Sequence, residues 1–317
     1  MKAIVSPRHG SPDVLQLKEV EKPTPKDNET LVKVYAASLN AADFETLRGT
    51  RNVRILGSDI AGRVEAVGRN VKQFQPGDEI WGDLSLHGFG TLAEYVCVPE
   101  NALRLKPASM TFEEAAAVPT AAVVALQNLC GKRPIKLGQK VLINGAGGGV
   151  GTFAVQIAKS FGAEVTGVDS TVKLDMLRSI GADHVIDYTQ EDFTKNGQHY
   201  DLILDVVVHR SIFDYKRALS PKGICVFVGG SMTRVWLNIL LGFLISLMGS
   251  KKMGLVMWKP NKKEDLAFLQ ELFESGEVVP VIDRCYPLSE VPEALRYLEE
   301  GHALGKVVIT VAHNGKI

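Results

Sequence analysis

The chain has 317 residues, enough for two domains with sizeable cores, and its 36 basic and 36 acidic side chains balance. That balance excludes the electrostatic footprint of a nucleic-acid binder. Cys97, Cys130, Cys225 and Cys285 stand without paired metal-binding spacing, and Met1, Lys2, Ala3, Ile4 and Val5 lead straight into a strand-like run rather than a leader's apolar core, so reduced thiols in the cytoplasm are expected.

Residues 1–117 read as β-rich, with short strands over 31–35, 60–67 and 92–98 cut by turns at Asp27 and Asn28, at Pro76 and Gly77, and at Pro99. The spacing suits a compact β-barrel-like domain. Thr111, Phe112, Glu113 and Glu114 form a capping-box pattern, in which Thr111 accepts from the N–H of Glu114 and the Glu114 carboxylate reaches back. The box predicts a helix over 115–129 that leads into a second region.

From about 118 to 282, strands alternate with helices, the pattern of a right-handed, doubly wound parallel sheet. Predicted strands cover 140–143, 164–168, 184–186, 202–207 and 224–228. The first of them, with Val141, Leu142 and Ile143, runs into the turn Ala146, Gly147, Gly148, Gly149, Val150, Gly151. Phe153, Val155, Ile157 and Ala158 then begin a helical pattern, and the next strand ends in Asp169. Strand, glycine turn and helix in this order form the first half of a dinucleotide-binding βαβ unit, in which N–H groups at the helix start face a pyrophosphate.

The uncharged run 235–248 is followed by Lys251 and Lys252 and by a second apolar piece over 253–258. Spanning a bilayer takes about 20 apolar residues, so transmembrane anchoring is not expected. The run reads as a buried helix or flap over a substrate cleft, as a subunit contact, or as a peripheral membrane-surface contact with the two lysines near headgroups. The piece 253–258 reads as an edge strand able to pair across a homodimer. No internal repeat or low-complexity tract is visible.

Gly138, Gln139, Leu142, Ala146 to Gly151, Gln156 and Lys159 reproduce the spacing of a known signature, and the chain resembles the zinc-independent quinone oxidoreductase (zeta-crystallin-like) group of the medium-chain dehydrogenase/reductase superfamily. The resemblance runs nearly end to end, through 34–40, 56–62, 76–79, 90–95, 177–187 and 305–309. It implies an α/β fold in which a GroES-like β-barrel domain, 1–117 plus 283–317, accompanies a Rossmann doubly wound parallel-sheet domain, 118–282.

Alcohol dehydrogenases of that superfamily hold a catalytic zinc through a Cys, a His-Glu pair and a later Cys. By local alignment Asn40 stands at the first cysteine and Ser58 and Asp59 where the His-Glu pair would be completed, and 99–107 replaces the four-cysteine structural lobe. His9, His87, His184, His199, His209, His302 and His313 are scattered, so no zinc is expected. Without a Lewis acid, reduction of a quinone or conjugated enone is favoured over alcohol oxidation, because the developing enolate or hydroquinone oxygen needs only a hydrogen bond and a proton.

The resemblance places Asn40, Asp43 and Arg48 in the catalytic set. From the residues alone, Asn40 is equally a helix-capping residue, Asp43 and Arg48 a structural pair, Tyr35 a packed strand residue and Thr120 a helix cap. The cofactor set implied is Thr120, Ala146, Gly147, Gly148, Gly149, Val150, Gly151, Asp169, Ser170, Lys173, Tyr188 and Gly229. Asp169, at a strand end, argues for NADH, whereas Ser170, Thr171 and Lys173 match positions that cradle a 2′-phosphate and favour NADPH. Leu304 and the stretch Val206, Val207, Val208, His209 depart from the family pattern. An enoyl-thioester reductase and a nucleotide-binding protein with little turnover are the alternatives.

Overall fold

The computed structural model describes residues 1–50, 53–131 and 133–312; His313 lies outside them. The chain divides into two compact units. One comprises Met1–Val123, Lys259–Gln270 and the chain from Ile282 onward; the other comprises Val124–Trp258 and Glu271–Val281.

The first unit is built on a seven-stranded sheet. Strand Glu29–Ser38 is its hub, pairing antiparallel with Asp59–Val67, Tyr95–Pro99 and Lys306–Thr310. Glu79–Asp83 continues the sheet beyond Asp59–Val67, and Ile282–Pro287 lies parallel to Lys306–Thr310. Alternation along these strands puts Val32, Val34, Ile60, Ile80, Val307 and Ile309 into one core with Ile4, Leu39 and Leu92. Two register shifts in the longest pairing let the hub strand serve three partners.

The second unit is a six-stranded, all-parallel sheet. Lys140–Asn144, Glu164–Asp169, His184–Asp187, Tyr200–Asp205, Leu219–Phe227 and Lys252–Gly254, numbered one to six in chain order, lie in the order 3-2-1-4-5-6. That is the doubly wound dinucleotide-binding arrangement, whose switch point falls between the first and fourth strands. The continuous apolar runs of the central strands follow from cover on both faces. The predicted edge strand is shorter than its apolar stretch: only Lys252–Gly254 pairs, because the segment beyond makes no ladder bonds.

The capping box forms as expected, Glu114 N–H donating to Thr111 Oγ1 at 3.2 Å and Thr111 N–H to Glu114 Oε2 at 2.8 Å. The helix it opens is broken in two, Phe112–Ala117 and Pro119–Cys130, because Pro119 removes a backbone donor.

Helix Gly149–Ser160 starts inside the glycine turn. Gly145 turns the chain with φ of 81°, a conformation that L side chains avoid. At Gly151 a Cβ would lie 2.2 Å from the Gly145 carbonyl oxygen and 2.5 Å from that of Ala146, so only glycine lets helix and turn close. Gly151→Ala is expected to cost about 1–3 kcal/mol or more through overpacking, read as a lower urea midpoint at unchanged m-value.

Candidate active site

In the first unit, cross-strand register builds a polar row in an otherwise apolar sheet. Val308 lies opposite Ser38, Ser38 opposite Asp59, and Asp59 opposite Asp83. Two carboxyls side by side on neighbouring strands repel when both are charged. Both are buried, Asp59 completely, so the row persists only because donors surround it.

Asp59 Oδ2 accepts from Ser38 Oγ at 2.9 Å and from Asn40 Nδ2 at 2.9 Å. Asp59 Oδ1 accepts from the Thr120 N–H at 3.1 Å and from Thr120 Oγ1 at 2.6 Å. The Lys306 ammonium stands 3.5 Å away, buried, and donates to the Leu39 carbonyl at 3.0 Å and to Asn40 Oδ1 at 2.6 Å. Burial lowers Lys306 below the ordinary ammonium range, against the pull of the Asp59 and Asp43 carboxylates.

These contacts fix the Asn40 amide by chemistry. Lys306 can only donate and a carboxylate can only accept, so the oxygen must face Lys306 and the nitrogen Asp59. One Asn40 N–H and one lone pair remain. Asn40 also precedes helix Ala41–Glu45, and its backbone N–H donates to Asp43 Oδ2 at 2.8 Å. Asp43 Oδ1 accepts from Gly57 N–H at 3.2 Å, and complete burial raises Asp43 to about 7. The capping reading of Asn40 and its role as a held amide therefore both apply.

Other sequence-based expectations change. Arg48 does not pair with Asp43; its guanidinium bonds the Glu299 carboxylate on the protein surface, because Asp43 points inward to the backbone of Asn40 and Gly57. Tyr35 is packed, stacked on Phe112 with ring centroids 4.6 Å apart. Thr120 is more than a helix cap, since its hydroxyl bridges Asp59 and, at 3.1 Å, Asp83 Oδ2.

In the second unit, the N–H groups of Gly145 and Ala146 both donate to the Val168 carbonyl, pinning the turn between the first two strands. Gly147 N–H donates to Asp169 Oδ2 at 2.8 Å and Ser170 N–H to Asp169 Oδ1 at 2.9 Å. Buried Lys173 holds its ammonium 3.7 Å from Asp169 Oδ1. Its stem lies over Gly147, where a Cβ would come within 2.6 Å of Lys173 Cδ. Asp169 and Lys173, read from sequence as competitors, are therefore a buried ion pair that braces the loop. Gly148 is the open position: a Cβ there would meet nothing nearer than the Gly145 oxygen at 3.6 Å. The N–H groups of the first helical turn, at Gly149, Val150 and Gly151, have no partners within the helix.

Tyr188, exposed, follows the third strand and donates its N–H to the Asp169 carbonyl at 3.1 Å. Gly229 accepts from Val208 N–H at 2.8 Å, joining the turns after the fourth and fifth strands. At the switch point, buried Asp205 accepts from Asn144 Nδ2 at 3.0 Å and Tyr215 Oη at 2.6 Å, and burial raises both Asp205 and Tyr215.

The glycine turn fits a dinucleotide: small residues leave an open face, and the first helical turn aims its N–H groups outward. The row around Asp59 does not fit a catalytic zinc. Asn40, Ser58 and Asp59 supply one carboxylate and no thiolate or imidazole, and the Lys306 ammonium already draws on Asn40 and Asp59. Sequence reasoning treated Asp59 only as a missing zinc ligand and passed over Lys306, Asp83 and Ser38 as site residues. A lysine opening the apolar run 306–309 was the available signal.

Comparison with known proteins follows the geometry. Residues 26–108 match the family model described as alcohol dehydrogenase GroES-like domain, and 180–309 the one described as zinc-binding dehydrogenase. The chain is 37% identical to the 2-methylene-furan-3-one reductase of Solanum lycopersicum, across 98% of this chain and 79% of that protein. It is 34% identical, over the same shares, to the chloroplastic NADPH-dependent alkenal/one oxidoreductase of Arabidopsis thaliana. The quinone oxidoreductase structure from Coxiella burnetii superposes with a TM-score of 0.90 at 31% identity, covering 98% of this chain and 99% of that one.

The Asp59 row also makes stability depend on pH. The Thr120 hydroxyl has one hydrogen and two carboxyl neighbours, so a protonated Asp83 completes the bridge. Burial, then the Asp59 charge, pushes Asp83 up to about 6. A raised folded-state value means the native protein binds the proton more tightly than the unfolded chain. This contribution is complete below about pH 4 and is lost as pH rises through about 6, at up to about 1.4 kcal/mol per pH unit. Asp83→Asn keeps the geometry of the protonated form. Urea midpoints measured from pH 4.5 to 7.5 should fall less steeply for Asp83→Asn than for the unmodified protein.

Proposed function

The chain belongs to the medium-chain dehydrogenase/reductase superfamily, among its quinone and alkenal/one oxidoreductases, and we propose that it reduces quinones or α,β-unsaturated carbonyls with NADPH and without zinc. The observation that carries this reading is the Asn40 amide held between Lys306 and Asp59, with one N–H to spare.

Ala146 to Gly151 and the start of helix Gly149–Ser160 would hold the pyrophosphate, and a bound reduced nicotinamide supplies hydride. Asn40 donates its remaining N–H to the acceptor's carbonyl oxygen, where negative charge grows as the conjugated carbon is reduced. Lys306, bonded to the amide oxygen, polarises that donor; Asp59 holds its orientation. The Thr120 hydroxyl ties Asp59 to Asp83 and so helps hold the Asp59 carboxylate in place. Ser170, Lys173 and Tyr188 belong to the adenosine end. Both Asp169 oxygens already accept backbone N–H groups and its charge is offset by Lys173, which weakens its case as a ribose reader and supports NADPH over NADH.

Four scattered cysteines without paired metal-binding spacing support a reducing, cytoplasmic setting.

Steady-state oxidation of NADPH with an ortho-quinone and a simple enone should proceed unchanged in a metal chelator. Loss of turnover in the chelator would sink the zinc-free reading, and nucleotide binding without turnover on either acceptor would favour the binding-protein alternative. Asn40→Ala is expected to lower kcat by about 100-fold with little change in nucleotide affinity, the loss typical of one oxyanion donor. Lys173→Met, which keeps the stem over Gly147 and removes only the ammonium, should weaken NADPH binding, followed by nicotinamide fluorescence, about tenfold while weakening NADH binding clearly less; equal losses would remove Lys173 from 2′-phosphate recognition.

A further inference from the structure

Helix Met232–Met248 carries apolar side chains on both its packed and its outward side. Its packed side carries Asn238, Gly242 and Ser246, one per turn, together with Val235 and Ile239. Asn238 Nδ2 donates to the Arg210 carbonyl, Met253 N–H donates to Ser246 Oγ at 2.9 Å, and Gly242 lies against Met253. The opposite side presents Trp236, Leu237, Leu240, Phe243, Leu244 and Leu247 as one stripe, with Trp236 64%, Leu240 63%, Phe243 60% and Leu247 68% exposed. A surface helix normally faces its large apolar residues to the core. The helix is thus apolar on both sides: Val235, Ile239, Leu241 and Ile245 pack against the core of the sheet, while Trp236, Leu240, Phe243 and Leu247 face outward, so it is only half-buried within this chain.

Charge around the stripe is one-sided. The chain as a whole is neutral, yet residues 215–258 contain Lys216, Arg217, Lys222, Arg234, Lys251 and Lys252 and no Asp or Glu. Arg217 is paired with Asp214 at 2.7 Å. Arg234 stands in the helix's first turn. At its far end Lys252 Nζ donates to the carbonyls of Ser246 and Gly249, and Lys251 Nζ to those of Lys216 and Leu219. Burial first, and then the nearby Lys216 charge, lower Lys251. Exposed Leu255 and Met257 extend the apolar surface past the lysines.

We propose that this helix is a monotopic docking surface for an anionic lipid bilayer: the Trp236–Leu240–Phe243–Leu247 stripe enters the acyl boundary, and Lys216, Lys222, Arg234, Lys251 and Lys252 meet the headgroups. No helix among the described residues is long and apolar enough to cross a membrane, so the contact is peripheral. Apolar insertion and basic attraction are the two signals that together give stable interfacial binding. A second copy of the same segment brings apolar area but no counter-charge, which favours lipid over self-association. The docking surface does not rest on the proposed function.

The test is co-sedimentation of the full-length protein with vesicles of phosphatidylcholine alone or with about one third phosphatidylserine. Binding should be at least about tenfold tighter to the anionic vesicles and should fall when salt is raised from about 0.1 M to about 0.5 M. The triple variant Trp236→Gln, Leu240→Gln, Phe243→Gln should bind at least about tenfold more weakly while its soluble-substrate kcat/KM stays unchanged. If that variant fails to fold, brominated lipid should still quench the fluorescence of Trp258→Phe, whose remaining tryptophans are buried Trp81 and Trp236 on the stripe. Absence of vesicle binding overturns the proposal. So does a concentration-dependent oligomer, seen in sedimentation velocity without vesicles, that the triple variant abolishes, because a second copy then covers the stripe. Reductase activity is read separately, so its absence would sink the functional reading and leave this one standing.

Discussion

The first unit is organised around one buried anion. Asp59 sits where three strands and the start of a helix converge, and its carboxylate accepts from Ser38, Asn40 and Thr120, beside Lys306. A buried carboxylate without such partners would be neutralised or would unfold its surroundings, because its desolvation cost far exceeds the gain from one hydrogen bond. The register of Glu29–Ser38, the opening of Lys306–Thr310 and the placement of Thr120 therefore have to be right together. Removing one donor leaves charge exposed to low dielectric rather than merely subtracting a contact. This interdependence holds a side chain as short as Asn40 within a narrow range of orientations.

The second unit solves a related problem with backbone instead of side chains. Its turn must bring successive N–H groups to one face, which requires small residues and close approach of helix to turn. Asp169 and Lys173 hold the floor of that turn, one by accepting Gly147 N–H, the other by laying its stem where any larger residue at 147 would clash. The acid at the end of the second strand thus has a structural task in this chain. A strand-end acid read in isolation points to ribose recognition; the same acid with two backbone donors and a lysine has much less capacity left for a ligand.

How much was legible in the sequence follows from the range of each interaction. The doubly wound sheet was readable because strand, glycine turn and helix are consecutive and each element's period is local. The capping box at Thr111 and Glu114 was readable for the same reason. The polar row was not. Asn40 and Lys306 are 266 residues apart, and nothing in either local pattern says that antiparallel pairing brings Ser38, Asp59 and Asp83 into line. The pairing of Asp43 with Arg48 failed because proximity along a short helix says nothing about burial: Asp43 turned inward and Arg48 outward to Glu299. The helix over 232–248 was legible as apolar but its exposed side was not, since an apolar run looks the same whether its largest residues face protein or solvent.

The arrangement around Asn40 also limits the chemistry. A single amide N–H, sharpened by a cation on the amide oxygen, stabilises charge that accumulates on an acceptor oxygen far better than it activates a hydroxyl for deprotonation. Oxidising an alcohol needs a group that lowers the hydroxyl's pKa before hydride leaves, which a zinc ion does and an amide donor does not. Reducing a conjugated carbonyl or quinone reverses the demand: the hydride acceptor is already electron-poor, and the oxygen gains charge only in the transition state. A donor fixed in advance by Lys306 and Asp59 needs no reorganisation at that moment. The site proposed around Asn40, Asp59 and Lys306 therefore suits acceptors whose oxygen gains charge in the transition state better than alcohols that must first lose a proton.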